Sequence, residues 1–281
     1  MTEPARRRPS LIDRLTGRSQ PSRDRYEFPG PKPRIKPLID PERRFMVVWS
    51  PKSACTTTLI WFLTATGLGE EARRLNPWPH RYRSGVLYRM PVYRRITDPE
   101  IARMRRIRVI RDPIDRAVSS FRHAVSMGYA DEEIGAFLGR TIDPEATFSF
   151  REFIAYLEAA DIERTNPHHR VQFQWIERSH PPTDVINITK SDLFTELNRI
   201  EAAMGLPVTD FPSLEWLHRT EQNRKPQLGA IEGAAEEMRL SRRAGRGEGF
   251  WPQTAELLTE EAHARLSRIY RIDLEAYAPY L

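Results

Sequence analysis

The feature that most constrains this chain is the run Phe45-Met-Val-Val-Trp-Ser-Pro-Lys-Ser-Ala-Cys-Thr-Thr-Thr-Leu59. Its short apolar start reads as a buried strand. The loop after it carries one lysine and a cluster of small hydroxyl residues, and an apolar helix, Leu59 to Leu68, follows. Strand, small-residue loop and helix N-terminus together turn backbone N–H groups towards an anionic phosphate. The standard nucleoside-triphosphate loop needs Gly-x-x-x-x-Gly-Lys-Ser/Thr, with the lysine late. Here Lys52 comes early, right after Pro51, the threonines follow at 56, 57 and 58, and no glycine lies between Gly30 and Gly67. The reading is a phosphate site that is not built for magnesium-ATP.

A second segment, Ile107-Arg-Val-Ile-Arg-Asp-Pro-Ile-Asp-Arg-Ala-Val-Ser-Ser-Phe-Arg-His123, repeats the pattern. Ile107 to Ile110 predicts a buried strand, Asp112-Pro113 breaks it, and Asp115 is the expected N-cap of a helix to about Val125. Arg111 then stands at the carboxyl end of a strand, the edge where open parallel sheets bind ligands. A guanidinium there and the Ser119 hydroxyl on the following helix can hold a second phosphate.

Taken in this order, the two segments resemble the sulfotransferases that use 3′-phosphoadenosine 5′-phosphosulfate. Pro51-Lys-Ser-Ala-Cys-Thr-Thr57 is similar to their loop for the 5′-phosphosulfate, and Arg111-Asp-Pro-x-x-Arg116-x-x-Ser119 to their 3′-phosphate element. The Pro-Lys-x-x-Cys-Thr form resembles the branch of carbohydrate sulfotransferases, here of bacterial type. Three weaker pieces fit: Asn166-Pro-His-His-Arg-Val-Gln172, Val185 to Leu193, and the terminal Ile269-Tyr-Arg-Ile-Asp-Leu-Glu275. The resemblance spans roughly Phe45 to Leu281.

It implies roles. Lys52 stands against the bridging oxygen on which charge grows as the sulfuryl group leaves, where a cation lowers the barrier. Ser53, Ala54, Cys55, Thr56 and Thr57 surround the 5′-phosphate, while Arg111 and Ser119 take the 3′-phosphate. Arg116 is either a further phosphate partner or half of a helix-surface ion pair with Asp112. Arg219 and Thr220, within Leu217 to Lys225, are similar to a basic loop that closes over the nucleotide. The acceptor hydroxyl needs a base, and histidine suits neutral pH. His80 is the first choice, because related enzymes carry their base in this stretch, with the weaker alternatives Glu70 or Glu71. Trp78, His123 and His168 are candidate acceptor contacts. The implied donor is 3′-phosphoadenosine 5′-phosphosulfate, its product adenosine 3′,5′-bisphosphate, the acceptor a carbohydrate or small-molecule hydroxyl, and no metal is required.

Alternating strands and helices argue for an α/β chain, a P-loop-like three-layer fold with a central parallel sheet flanked by helices. Residues 1–43 form a Pro/Arg-rich segment expected to be extended or disordered, and residues 44–281 the sulfotransferase domain. Glu70 to Tyr88 reads as irregular and Glu256 to Tyr277 as one long helix capped by Thr259. No run of eighteen apolar residues exists, and the arginine-rich start lacks the apolar middle of a secretion signal, so the expectation is a cytoplasmic protein with no transmembrane segment. The net charge is +6, yet only five of the 44 basic residues are lysines, a usage that fits genome composition as well as function. The clusters Arg103 to Arg108 and Arg239 to Arg246 are candidates for acceptor contact. No zinc spacing or RNA-binding signature points to nucleic acid. Two other classes stay open: a kinase of related architecture, which would want a glycine-rich loop, and a catalytically degenerate nucleotide-binding or interaction domain.

Overall fold

The computed structural model describes residues 26–30, 32, 35–219, 233–243 and 250–281. Four strands form one sheet in the order β1 (Leu38–Asp40), β2 (Phe45–Val48), β3 (Arg105–Ile110), β4 (Asp184–Asn187). β2, β3 and β4 run parallel, with Val47 opposite Ile107 and Ile107 opposite Asp184. β1 is antiparallel to β2. Every residue of β2 is buried, as expected of a parallel strand covered on both faces. β1 shows that the sheet begins before residue 44. The Asp40 carboxylate accepts from Glu42 N and Arg43 N, both at 2.9 Å, which turns the chain from β1 into β2. Phe28, Leu38 and Ile39 join the core. The expectation for residues 1–25 lies outside the described residues.

The crossovers place the helices that matter for the site. α1 (Cys55–Ala65) starts directly at the loop, earlier than the apolar run alone predicts, because Cys55 and the three threonines are helical. Its buried stretch Leu59 to Leu63 packs with β2 and with Ile107 and Val109 of β3. The stretch expected to be irregular contains a helix at Gly69–Leu75 and α2 (Pro79–Gly85). Pro79 begins α2, the position where its missing N–H costs nothing. α3 (Pro113–Met127) is capped by Asp112 rather than Asp115. The Asp112 carboxylate accepts from Ile114 N at 2.8 Å and Asp115 N at 3.0 Å, and Pro113 is the first helical residue.

α4 (Asp131–Leu138) and α5 (Phe150–Ala159) follow, the latter opened by a Ser149–Glu152 capping box. α6 (Leu193–Ala203) is capped by Asp192. The expected single C-terminal helix is broken. Thr259 caps α7 (Glu260–Ile269), and the chain turns at Tyr270 into α8 (Arg271–Ala276). Apolar faces of α3, α5 and α7 form a second core cluster around Phe121, Phe150, Phe153 and Leu266. Among the described residues, no helix is long and apolar enough to cross a membrane.

Candidate functional site

The loop between β2 and α1 holds an unusual backbone. Lys52 has φ 67° and Ala54 φ 52° and ψ 33°, both left-handed without being glycine. An L-residue there costs about 1–2 kcal/mol, so the surroundings must hold it in place. They do so from beneath. Ser53 is fully buried, and its hydroxyl donates to Gln172 Oε1 at 3.3 Å. Gln172 is also fully buried, and its side-chain amide clamps Arg111 in both directions, Nε2 to Arg111 O at 2.6 Å and Arg111 N to Oε1 at 3.2 Å. One amide thus ties the β2 loop to the end of β3.

A buried frame fixes that amide. The Asp273 carboxylate accepts Gln172 N and Phe173 N, each at 2.8 Å, and Tyr270 donates to His169 O at 2.7 Å. Arg108, fully buried on β3, donates to Tyr277 Oη at 2.8 Å, Ser50 Oγ at 2.9 Å and Gln172 O, and pairs with Glu177 at 3.2 Å. Arg116 is the other buried cation. It donates to Pro51 O at 3.0 Å and Arg170 O at 2.7 Å, with longer contacts to Pro167 O and His168 O. Neither sequence reading of Arg116 survives: its guanidinium is consumed by loop carbonyls and reaches neither solvent nor Asp112.

Above this frame lies a cluster of cations. Among the described residues the Lys52 ammonium makes no ion pair, and burial, then Arg111 and Arg116, pull its pKa down to about 8 against an opposing effect of the nearby Cys55. No side chain caps α1, so first-turn N–H groups remain available beside it. Arg111 forms no ion pair with a described residue either, although Asp115 and Asp112 are close enough to oppose the fall in its pKa that burial causes. Ser119, half-buried on α3, lies two turns from Arg111. Arg122, one turn further along α3, donates to Pro252 O at 2.6 Å while its buried Nε has no partner. Its pKa is lowered by burial and by Arg111. Arg83 lies over the Trp49 ring at 4.3 Å, and its buried Nε is likewise unpartnered.

Three histidines converge on the same place. His80 on α2 meets Thr56 Oγ1 through Nε2 at 2.9 Å, and its Nδ1 is buried without a partner. His168 lies near His80, Lys52 and Arg83, and its ring centroid is 4.9 Å from that of His123 on α3. All three are kept neutral. Burial is the main cause, and nearby cations add to it, taking His80 and His123 to about 3 and His168 to about 4.

The structure therefore brings Lys52, Ser53, Ala54, Cys55, Thr56, Thr57, His80, His123 and His168 to one loop and its rim, with Arg111 and Ser119 at the neighbouring strand end. Trp78 packs at a tilt against His80, centroids 5.0 Å apart. Arg219 is exposed, paired with Glu215 at 2.9 Å. Thr220 lies outside the described residues. Glu70 is exposed and paired with Arg73 at 3.2 Å.

The basic clusters serve the fold. Arg105 pairs with Asp184 at 2.6 Å, Arg106 caps carbonyls around Ala102 and Pro181, and Arg239, Arg242 and Arg243 pair with Glu152, Asp131 and Glu145. Arg246 lies outside the described residues. Arg83 and Arg122 were missed as site residues. Their spacing, three residues after His80 and three after Ser119, puts each on the same helical face as a residue already singled out.

Among the described residues, no group of three or more His, Cys, Asp or Glu is placed to hold a metal ion. Comparison with protein-family models, curated proteins and solved structures finds no match.

Proposed function

We propose that this protein is a sulfotransferase that moves the sulfuryl group of 3′-phosphoadenosine 5′-phosphosulfate to an acceptor hydroxyl, on a carbohydrate by preference. The reading includes a P-loop-like three-layer fold and activity without a metal ion. One observation carries it: four half-buried cations, Lys52, Arg83, Arg111 and Arg122, gather around an uncapped helix N-terminus without forming an ion pair among the described residues. Partly buried charges are ordinarily paired. A ligand carrying two separate phosphate groups satisfies this arrangement better than one carrying a single anion.

The chain's own groups fit the donor. The N–H groups at the start of α1 and the Thr57 hydroxyl face the 5′-phosphate, with Lys52 against the bridging oxygen. Arg111, Ser119 and Arg122 take the 3′-phosphate. When bound, the donor supplies an activated sulfuryl group and a phosphate leaving group. The protein supplies position, positive potential and a neutral imidazole to take the acceptor proton, with His80 the residue that the family resemblance favours.

Calorimetric titration with adenosine 3′,5′-bisphosphate in chelator tests the reading, with Arg111→Ala beside the wild type. Charge-assisted hydrogen bonds contribute about 1.5–3 kcal/mol, so the variant should bind on the order of 10- to 100-fold more weakly. A folded wild type that ignores the bisphosphate but takes magnesium-ATP points to the kinase class instead. One that takes neither is an interaction domain.

A further inference from the structure

We propose that His168, held by Asn166, is the base that takes the acceptor proton, and that His80 positions the phosphate loop. This rests on the sulfotransferase reading and assigns its proton acceptor to a different residue.

The hydrogen bonds distinguish the three rings. Asn166 Oδ1 accepts the His168 backbone N–H at 3.1 Å and lies 3.0 Å from His168 Nδ1. An amide oxygen only accepts, so Nδ1 of the neutral ring carries the proton. The lone pair is then on Nε2. That atom makes no hydrogen bond among the described residues and is not among the buried unpartnered atoms. His168 therefore has one nitrogen oriented by a partner and the other open, the arrangement a general base needs.

His80 lacks it. Its Nε2 is engaged by Thr56 Oγ1 at 2.9 Å and its Nδ1 is sealed from solvent. What His80 can do is fix the first turn of α1 at Thr56, directly behind Lys52. His123 has no side-chain hydrogen bond among the described residues, so none of them fixes its tautomer or its aim, and His169 is fully buried with Nε2 unpartnered.

Position agrees. His168 is the histidine that both His80 and His123 face, and Lys52, Arg83 and Arg116 all lie near it. The Asn166–Arg170 turn is braced from below by Ser120 Oγ, which donates to His168 O at 2.8 Å, and by Arg116. In the step, the acceptor oxygen bonds to sulfur while the bond from sulfur to the bridging phosphate oxygen breaks. That electron pair stays on the phosphate, which leaves as adenosine 3′,5′-bisphosphate, and the acceptor proton passes to His168 Nε2.

The test uses the full chain. Calorimetry with adenosine 3′,5′-bisphosphate comes first, and absence of binding by the wild type defeats the sulfotransferase reading itself. In the saturated complex at pH 7, nitrogen-15 NMR of the histidine rings, assigned with His168→Gln and His80→Gln, should find His168 protonated on Nδ1 only. Asn166→Ala should mix its tautomers while nucleotide affinity stays within about twofold. Single-turnover consumption of 3′-phosphoadenosine 5′-phosphosulfate, with water as acceptor, should slow about 100-fold or more in His168→Gln, the scale of general-base catalysis. His80→Gln should slow it less than about tenfold and lose nucleotide affinity instead. A His168 ring protonated on Nε2 in the complex overturns the proposal. So does a rate loss that falls on His80→Gln or His123→Gln while His168→Gln turns over normally. Should the wild type bind but not turn over in water, the tautomer decides.

Discussion

Lys52 and Ala54 carry the most information per residue, because both hold a backbone conformation that L-residues avoid. Replacing Ala54 by Gly removes a penalty of about 1–2 kcal/mol and adds about 0.5–1 kcal/mol of unfolded-state entropy. Ala54→Gly should therefore stabilise the protein by about 0.5–1 kcal/mol in urea titration; unchanged or lower stability would contradict a left-handed residue 54. The histidines make a second prediction at this scale. His80, His123, His168 and His169 all have pKa values depressed from 6.5, to between about 3 and 4. Below pH 6.5 the unfolded chain binds protons that the folded chain refuses, so stability should fall steadily as pH drops from about 6.5 towards 4. Denaturant midpoints across that window check this, and a flat profile would mean the rings are charged or solvated in the folded state. A bound phosphate favours the charged ammonium of Lys52, whose pKa burial lowers to about 8, so adenosine 3′,5′-bisphosphate should bind with proton uptake near pH 8. Calorimetry in two buffers of different ionisation enthalpy would detect it.

Among the elements, α8 matters beyond its length, since it and its two flanking tyrosines carry the groups that lock the β2–α1 loop from a distant part of the sequence. Tyr270, Asp273 and Tyr277 recur at helical spacing and face the same frame. In Asp273→Asn the amide nitrogen would confront one of two backbone donors and leave it unsatisfied inside the core. The expected cost is about 2 kcal/mol or more, with weaker nucleotide binding, measured by chemical denaturation alongside calorimetry. A variant as stable as wild type would show that the carboxylate does not hold Gln172. Much at this scale was legible. The β2 loop, β3 with Arg111 and the helix through Ser119 all follow from apolar runs and cap chemistry. The helix start at Cys55 was not, since three consecutive threonines argue against helix and only the loop geometry overrides them. The break at Tyr270 was also hidden, because Tyr270 stays on the apolar face while the axis changes direction. The functions of Gln172 and Arg116 depend on contacts between segments far apart in sequence, which no local pattern records.

At the scale of the molecule, a mostly parallel sheet is joined to a buried polar frame of Arg108, Arg116, Gln172, Glu177 and Asp273, which supports a rim of cations that are unpaired among the described residues. Arg105, Arg239, Arg242 and Arg243 are taken up by carboxylates, whereas Lys52 and Arg111 form no ion pair among the described residues. On the proposed reading, this rim holds two phosphate subsites on either side of one transfer point. The most direct measurement is a crystal structure of the protein with adenosine 3′,5′-bisphosphate, grown without divalent metal. The account predicts the 5′-phosphate at the N-terminus of α1 within hydrogen-bonding reach of Lys52, and the 3′-phosphate between Arg111, Ser119 and Arg122. A nucleotide bound elsewhere, or held with its phosphates away from Lys52 and Arg111, would contradict it.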